Sequence, residues 1–217
     1  MITLLTIKYT ADKAEFELDT GEKLFLDPGL ALELKLSSGC EIDSEKYLFI
    51  KDEAEKFSAL QKSLGYLSVR MRSAREIRQY LAKKGFSAAA SEYTVERLVK
   101  LKYLNDADFA DRFISYQKNR RPVGRRYIES GLALKGISRE IIKKSVKKSY
   151  SAEEELEAAI AAAGKKLSAL AGKPNISSRL YSFLAQRGFD HDVIARAVQG
   201  LKIEDRNFSA GEDADAE

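Results

Sequence analysis

Cysteine is almost absent: Cys40 stands alone in 217 residues. An intrachain disulfide framework is therefore excluded, and a reducing compartment is the expected setting. Histidine is as scarce, with only His191. One imidazole and one thiol are too few for a protein-built zinc site. No apolar run approaches the roughly 18 residues of a bilayer-spanning helix. The opening Met1-Ile-Thr-Leu-Leu-Thr-Ile-Lys8 has no basic region ahead of a small-residue cleavage site, so no secretory leader is expected. The phosphate-binding glycine patterns GxGxxG and GxxxxGK are missing, as are HExxH, CxxC and GxSxG. Carboxylates abound, yet no spacing among them points to catalysis. Asp190-His191-Asp192 reads as a helix cap with exposed neighbours rather than an acid–base cluster. Cys40, beside Gly39, reads as a small half-buried residue rather than a nucleophile. A cytoplasmic monomer is expected, with no cofactor, no metal and no membrane partner; nothing in the spacing supports an enzyme, although the carboxylates leave one open.

What is present is a repeated phrase. It reads Ile77-x3-Leu81-x3-Gly85-Phe86, then Ile128-x3-Leu132-x3-Gly136-Ile137, then Leu180-x3-Leu184-x3-Gly188-Phe189. The glycines lie about fifty residues apart, a period that signals a repeat array. Such arrays present an extended surface to a large partner rather than a pocket to a small one. Each glycine follows a helical pattern at the same offset, so it reads as a left-handed C-cap, with the next apolar residue supplying the accompanying contact.

Around these phrases the period of the apolar residues sets the elements. Residues 1–26 read as strands, with Leu5, Ile7 and Tyr9 alternating against Thr6 and Lys8, and Phe16 and Leu18 against Glu15 and Glu17. Leu30, Leu32, Leu34 and Leu36 alternate too, but Asp27-Pro28 and Gly39 are helix start and stop signals and favour a short helix. From Ser44 the spacing becomes three and four, predicting a long helix over 44–70. Ser73 caps a helix ending at Gly85, and a further helix covers 89–102. The chain then turns at Asn105 or Asp106. The second repeat has helices over 107–119, 123–135 and 139–149, the last capped by Ser138. The third has 152–172, 177–187 and, after Asp190 as cap, 191–200. Phe109, Phe113 and Tyr116 have the spacing of a core stripe, which favours packing over base stacking.

The fold class expected is mainly α: three tandem three-helix repeats in an elongated curved array, with a small β-containing N-terminal module. The expected segments are 1–43 for the module, 44–105, 106–150 and 151–203 for the repeats, and 204–217 for a disordered acidic tail.

Net charge of +4 conceals blocks. Residues 1–55 carry 6 basic and 13 acidic side chains, residues 56–150 carry 23 and 8, and residues 151–217 carry 8 and 12. A basic middle between acidic ends is an electrostatic address for a polyanion or an acidic protein. Eleven of the 23 are arginine, the side chain suited to bidentate contact with phosphate or carboxylate. Arg70, Arg72, Arg75 and Arg78 straddle the junction into the Ser73-capped helix. Lys118, Arg120, Arg121, Arg125 and Arg126 straddle the equivalent junction of the second repeat. In the third repeat that position is Ser178, with Arg179 beside it. Lys143, Lys144, Lys147 and Lys148 share one helical face as a secondary basic surface.

Three phrases in order resemble the RecX family. They are Val69-Arg-Met-Arg-Ser-Ala-Arg-Glu-Ile-Arg-Gln-Tyr-Leu-Ala-Lys-Lys-Gly-Phe86, Leu101-Lys-Tyr-Leu-Asn-Asp-Ala-Asp-Phe-Ala110, and Gly124-Arg-Arg-Tyr-Ile-Glu-Ser-Gly-Leu-Ala-Leu-Lys-Gly-Ile137. The likeness is dense over 67–146 and looser over 44–66 and 152–201. Lys102 stands where the family usually has glycine, and Asn105 where it has aspartate. The resemblance implies a non-catalytic regulator, usually an inhibitor, of the RecA recombinase, lodged in the groove of the RecA–DNA filament. The basic residues named above are then the expected contacts to RecA and, weakly, to DNA. The alternatives are a RecA-independent architectural DNA-binding protein and an adaptor docking through its acidic ends.

Overall fold

Alternating apolar and polar residues open the chain and build a small sheet. The computed structural model describes residues 1–201. Strands β1 (Ile2–Tyr9), β2 (Ala14–Leu18), β3 (Lys23–Leu26) and β4 (Glu41–Ile42) pair antiparallel in the order β3-β2-β1-β4. Leu4, Phe16, Leu18 and Leu26 are buried on its inner face. The alternation expected for β1 breaks at one point. The ladder to β2 slips between Leu4 and Thr6, so Leu4 turns inward and Leu5 is left 50% exposed. Tyr9 is exposed as well. A bulge exchanges the faces on either side of it, and alternation alone does not mark where it falls. The short helix expected after the sheet is α1 (Pro28–Glu33). The Asp27 carboxylate accepts from the Gly29 and Leu30 amides at 2.9 and 3.2 Å, and Pro28 fills the first turn.

Helix α2 (Ser44–Val69) is 26 residues long, about 39 Å at 1.5 Å per residue. Its first half closes the sheet core with Ile50 and Ala54. Its second half, from Ala59, packs with α3 (Ala74–Lys83) and α4 (Ala88–Lys100) around Ile77, Leu81, Val95 and Leu98. One helix thus serves two cores. These elements make a first compact unit, residues 1–105.

A second unit starts at Asp106. Helices α5 (Asp106–Arg120), α6 (Arg125–Leu134) and α7 (Arg139–Ser149) bury Ile114, Ile128, Leu132 and Val146. Helices α8 (Ala152–Ser168), α9 (Ile176–Gln186) and α10 (His191–Gly200) close on Ala159, Ala163, Leu180, Leu184 and Ile194. On α5 the expected stripe is displaced. Phe109 is buried and stacks on half-buried Phe113 at 6.4 Å, but Tyr116 is 58% exposed. The buried face is Phe109, Ala110, Ile114 and Gln117, and Tyr116 lies about 100° from its centre at 100° per residue.

The repeated glycines end α3, α6 and α9 as the sequence predicts. Gly85, Gly136 and Gly188 have φ of 84°, 78° and 78°. In each case the residue after the glycine donates back to the carbonyl five positions earlier: Phe86 to Leu81, Ile137 to Leu132 and Phe189 to Leu184. Phe86 with Leu81, and Phe189 with Leu184, also share a core. Both halves of the Schellman motif are present. The predicted tail, 204–217, lies outside the described residues.

Candidate functional site

The first basic junction lies between α2 and α3. Ser73 caps α3 through a reciprocal box: its hydroxyl accepts from the Glu76 amide, and the Glu76 carboxylate accepts from the Ser73 amide, both at 3.2 Å. The same carboxylate receives Arg70, whose Nη2 reaches Oε1 at 2.9 Å. Arg72 lays its guanidinium 3.7 Å from the Tyr66 ring centre, and Tyr66 stacks in turn on Tyr80 at 4.0 Å. Arg78 grips Glu92 of α4 with two bonds of 2.7 Å, and this holds the Glu92 carboxyl below its usual range. Arg75 faces solvent with no ion-pair or hydrogen-bond partner among the described residues. Of the four arginines expected here as contacts, three are therefore engaged within the unit. Tyr66 and Tyr80 were not singled out from the sequence. They lie on different helices, and no period links them.

The second junction, between α5 and α6, is engaged more thoroughly. Lys118 donates to Glu154 at 2.7 Å and to the Ser149 carbonyl at 2.9 Å. Arg121 donates to the Tyr127 hydroxyl at 2.6 Å. The Arg125 amide donates to Glu155 Oε1 at 2.7 Å, its Nε lies 3.0 Å from Oε2, and its Nη2 reaches the Tyr150 carbonyl at 2.9 Å. Arg126 pairs with Asp190. That pairing revises the expected role of Asp190, which stands at the N-cap of α10 without a side-chain cap bond. Arg120 is exposed and has no partner among the described residues.

Glycine makes this junction possible. A Cβ on Gly124 would strike the Gly188 carbonyl, and one on Gly188 would strike the Tyr127 amide. With hydrogens there instead, Gly124 donates to the Arg187 carbonyl at 2.9 Å and Arg126 to the Gly188 carbonyl at 3.1 Å. Arg187 returns a bond to the Pro122 carbonyl at 3.0 Å. The chain from Pro122 to Arg126 is thereby bolted to the end of α9 and the first turn of α8. Electrostatics follows the geometry. The Lys118 bond holds the Glu154 carboxyl below its usual range. Burial pushes Glu155 up, against the pull of Arg125, because its side chain is only 3% exposed.

The third group lies on α7. Lys148 pairs with Asp111 of α5 at 2.8 Å. Lys143, Lys144 and Lys147 are exposed and have no partner among the described residues. Ile142, Ser145 and Val146 occupy the opposite, buried side. Among the described residues no group of three or more His, Cys, Asp or Glu is placed to hold a metal, and no helix is long and apolar enough to cross a membrane.

Three family models match the chain: the RecX first three-helix domain over residues 59–98, the second over 105–145 and the third over 153–198. A regulatory protein RecX from Bacillus licheniformis is 30% identical over 202 residues, 91% of this chain and 75% of that protein. The chain belongs to the RecX family. The Enterococcus faecalis RecX is 29% identical over 91% of this chain and 76% of its own length. A crystal structure of a regulatory protein RecX shares the fold at a TM-score of 0.76 and 20% identity, covering 92% of this chain and all of that one. The RecX of Lactobacillus salivarius matches at 0.62 and 21% identity, over 68% of this chain and 97% of that one.

Lys102 holds a backbone position of structural consequence. Lys102 has φ of 62°, and the next amide, Tyr103, donates to the Leu98 carbonyl at 2.9 Å. It occupies the same left-handed position after α4 that Gly85 occupies after α3. Glycine suits that position and lysine is strained in it.

Proposed function

We propose that this RecX-family protein regulates the RecA recombinase by binding the RecA–DNA filament, acting as a non-catalytic cytoplasmic inhibitor of strand exchange and ATP hydrolysis. Binding alone suffices for such control, because a ligand shifts an assembly equilibrium by its differential affinity for the two states. The basic residues of the two junctions and of α7 are the proposed contact set, with a division of labour. Arg70, Arg72, Arg78, Lys118, Arg121, Arg125, Arg126 and Lys148 hold the local geometry through the partners described above. Arg75, Arg120, Lys143, Lys144 and Lys147 make the intermolecular contacts. The observation that carries this reading is that these five cations are exposed and have no carboxylate partner among the described residues. A free cation meets an incoming phosphate or carboxylate without first breaking an internal pair.

The test is RecA ATPase and strand exchange titrated with the protein. Wild type is expected to inhibit both. A variant carrying Arg75→Glu, Arg120→Glu, Lys143→Glu and Lys147→Glu, with an unchanged circular dichroism spectrum, is expected to lose inhibition. Full inhibition by that folded variant rejects the contact set. DNA affinity that is unchanged by RecA, together with no effect on either assay, replaces the proposal with a RecA-independent architectural DNA-binding protein.

A further inference from the structure

Strand β1 is paired along only part of one edge. The Thr10 amide donates to the Lys13 carbonyl at 2.9 Å and closes the β1–β2 hairpin. Bonded and non-bonded pairs alternate from there along an antiparallel ladder. Lys8 and Thr6, opposite Glu15 and Glu17, therefore turn their backbone groups to β2. Ile7 and Tyr9, opposite Phe16 and Ala14, turn theirs to the other edge. On that edge β4 pairs only with Ile2 and Thr3. Leu4 is the last residue covered there: it donates to the Cys40 carbonyl at 3.0 Å and accepts from the Gly39 amide at 2.7 Å. From Leu5 to Tyr9 the edge has no backbone partner among the described residues.

This open stretch is about 17 Å long at 3.4 Å per residue. Gly39 and Cys40 bound it at one end, and the turn at Ala11 and Asp12 bounds it at the other. Leu5 is 50% and Tyr9 43% exposed, and Thr6 and Lys8 are exposed between them. An unpaired edge of this kind is a template for another strand.

The stretch is complementary to itself. Its midpoint is Ile7. A second copy of β1, laid antiparallel about a two-fold axis beside Ile7, covers the whole open stretch of both copies. Ile7 then exchanges two backbone bonds with the partner's Ile7. Tyr9 lies opposite the partner's Leu5, and Thr6 opposite the partner's Lys8. Apolar side chains meet apolar ones, and each lysine meets a hydroxyl. Moving the axis to Lys8 sets two lysines directly opposite each other, which is destabilising. Moving it to Thr6 drives the partner's Lys8 onto Leu4, whose edge Gly39 and Cys40 already occupy. Lysine on an edge discourages pairing; here it rejects the wrong register and leaves one.

We infer that the chain self-associates through this edge as a two-fold dimer, joining two four-stranded sheets through paired β1 strands. The contact is isologous, so it closes at two copies. The overlap is short, which places the interface at the low end of specific contacts and makes the association weak. A dilute chain is then monomeric, and pairing appears as concentration rises.

Sedimentation velocity of the full chain, from micromolar to millimolar concentrations, tests the pairing. The mass is expected to rise from monomer to dimer and to stop there. Thr6→Lys sets lysine against the partner's Lys8 twice by symmetry, while in its own sheet the new lysine faces Glu17. The dimer is expected to weaken about tenfold with an unchanged circular dichroism spectrum. Adding Lys8→Thr to that variant exchanges the two positions, again sets lysine against threonine, and is expected to restore wild-type association. Tyr9→Pro removes an amide that points away from β2, a place where an edge strand tolerates proline, and is expected to weaken the dimer too. A chain that stays monomeric throughout, growth beyond the dimer, a dimer indifferent to Thr6→Lys and Tyr9→Pro, or an exchange that fails to restore pairing overturns the inference. The measurement contains neither RecA nor DNA, so its outcome is independent of the proposed function.

Discussion

The left-handed position after a helix is where single residues weigh most in this chain. Gly85 and Lys102 occupy equivalent places, with φ of 84° and 62°. An L side chain in that region costs roughly 1–2 kcal/mol, and glycine's greater unfolded freedom returns about 0.5–1. Gly85→Ala is therefore expected to lower unfolding free energy by about 1 kcal/mol, because a Cβ there meets open space and only backbone strain is added. Lys102→Gly is expected to raise it by about 0.5–1 kcal/mol by the same reasoning. Gly188→Ala should cost more than Gly85→Ala, since its Cβ would also meet the Tyr127 backbone. Urea unfolding midpoints for the three variants check the ordering. A Lys102→Gly variant no more stable than wild type would show that the Lys102 side chain offsets its strain by a contact of its own.

At the scale of elements, the α5–α6 connection and the start of α8 are held by one buried carboxylate. Glu155 accepts the Arg125 amide and faces its guanidinium, yet burial outweighs both and its proton is held more tightly than in an open chain. A raised carboxyl contributes most where it is protonated. Its contribution is present below the ordinary value of 4.5 and is lost as pH rises through the folded value. Glu155→Gln keeps an acceptor for the Arg125 amide and removes the buried charge. Its stability relative to wild type is therefore expected to improve as pH rises above about 4.5. Glu155→Ala leaves that amide unsatisfied and should cost about 1–3 kcal/mol. Thermal melts of both variants across pH 4 to about 8 separate the effects. If Glu155→Gln loses ground as pH rises, attraction to Arg125 prevails over burial. This pair also shows what the sequence could and could not reveal. Helix ends were legible because glycine, serine and proline act locally: Gly85, Ser73 and Pro28 each mark a boundary through their own backbone chemistry. The basic junctions were legible as composition. Their engagement was not, because Arg125 meets Glu155 and Arg126 meets Asp190 across 30 and 64 positions of chain, and no period connects them. The bulge in β1 escaped for a related reason, since the slip is set by pairing with β2 rather than by β1 alone.

For the whole molecule, what matters is how many of its cations are available rather than how many it has. Thirteen basic residues form the candidate set, but only Arg75, Arg120, Lys143, Lys144 and Lys147 stand without an internal partner among the described residues. Each phosphate neutralised on a single strand releases counterions, and log affinity falls with log salt at about 0.7 per contact. Five contacts give a slope of about −3.5, so affinity for an oligothymidylate should fall about a hundredfold between 50 and 200 mM salt. Thirteen contacts would give a slope of about −9 and a loss above 10⁵-fold over the same range. A slope near −3.5 that flattens when Lys143, Lys144 and Lys147 become glutamine supports the free cations as the phosphate contacts. A slope near −9 would mean that Lys118, Arg125 and Arg126 surrender Glu154, Glu155 and Asp190 on binding. The third three-helix domain would then have to release the second for the complex to form.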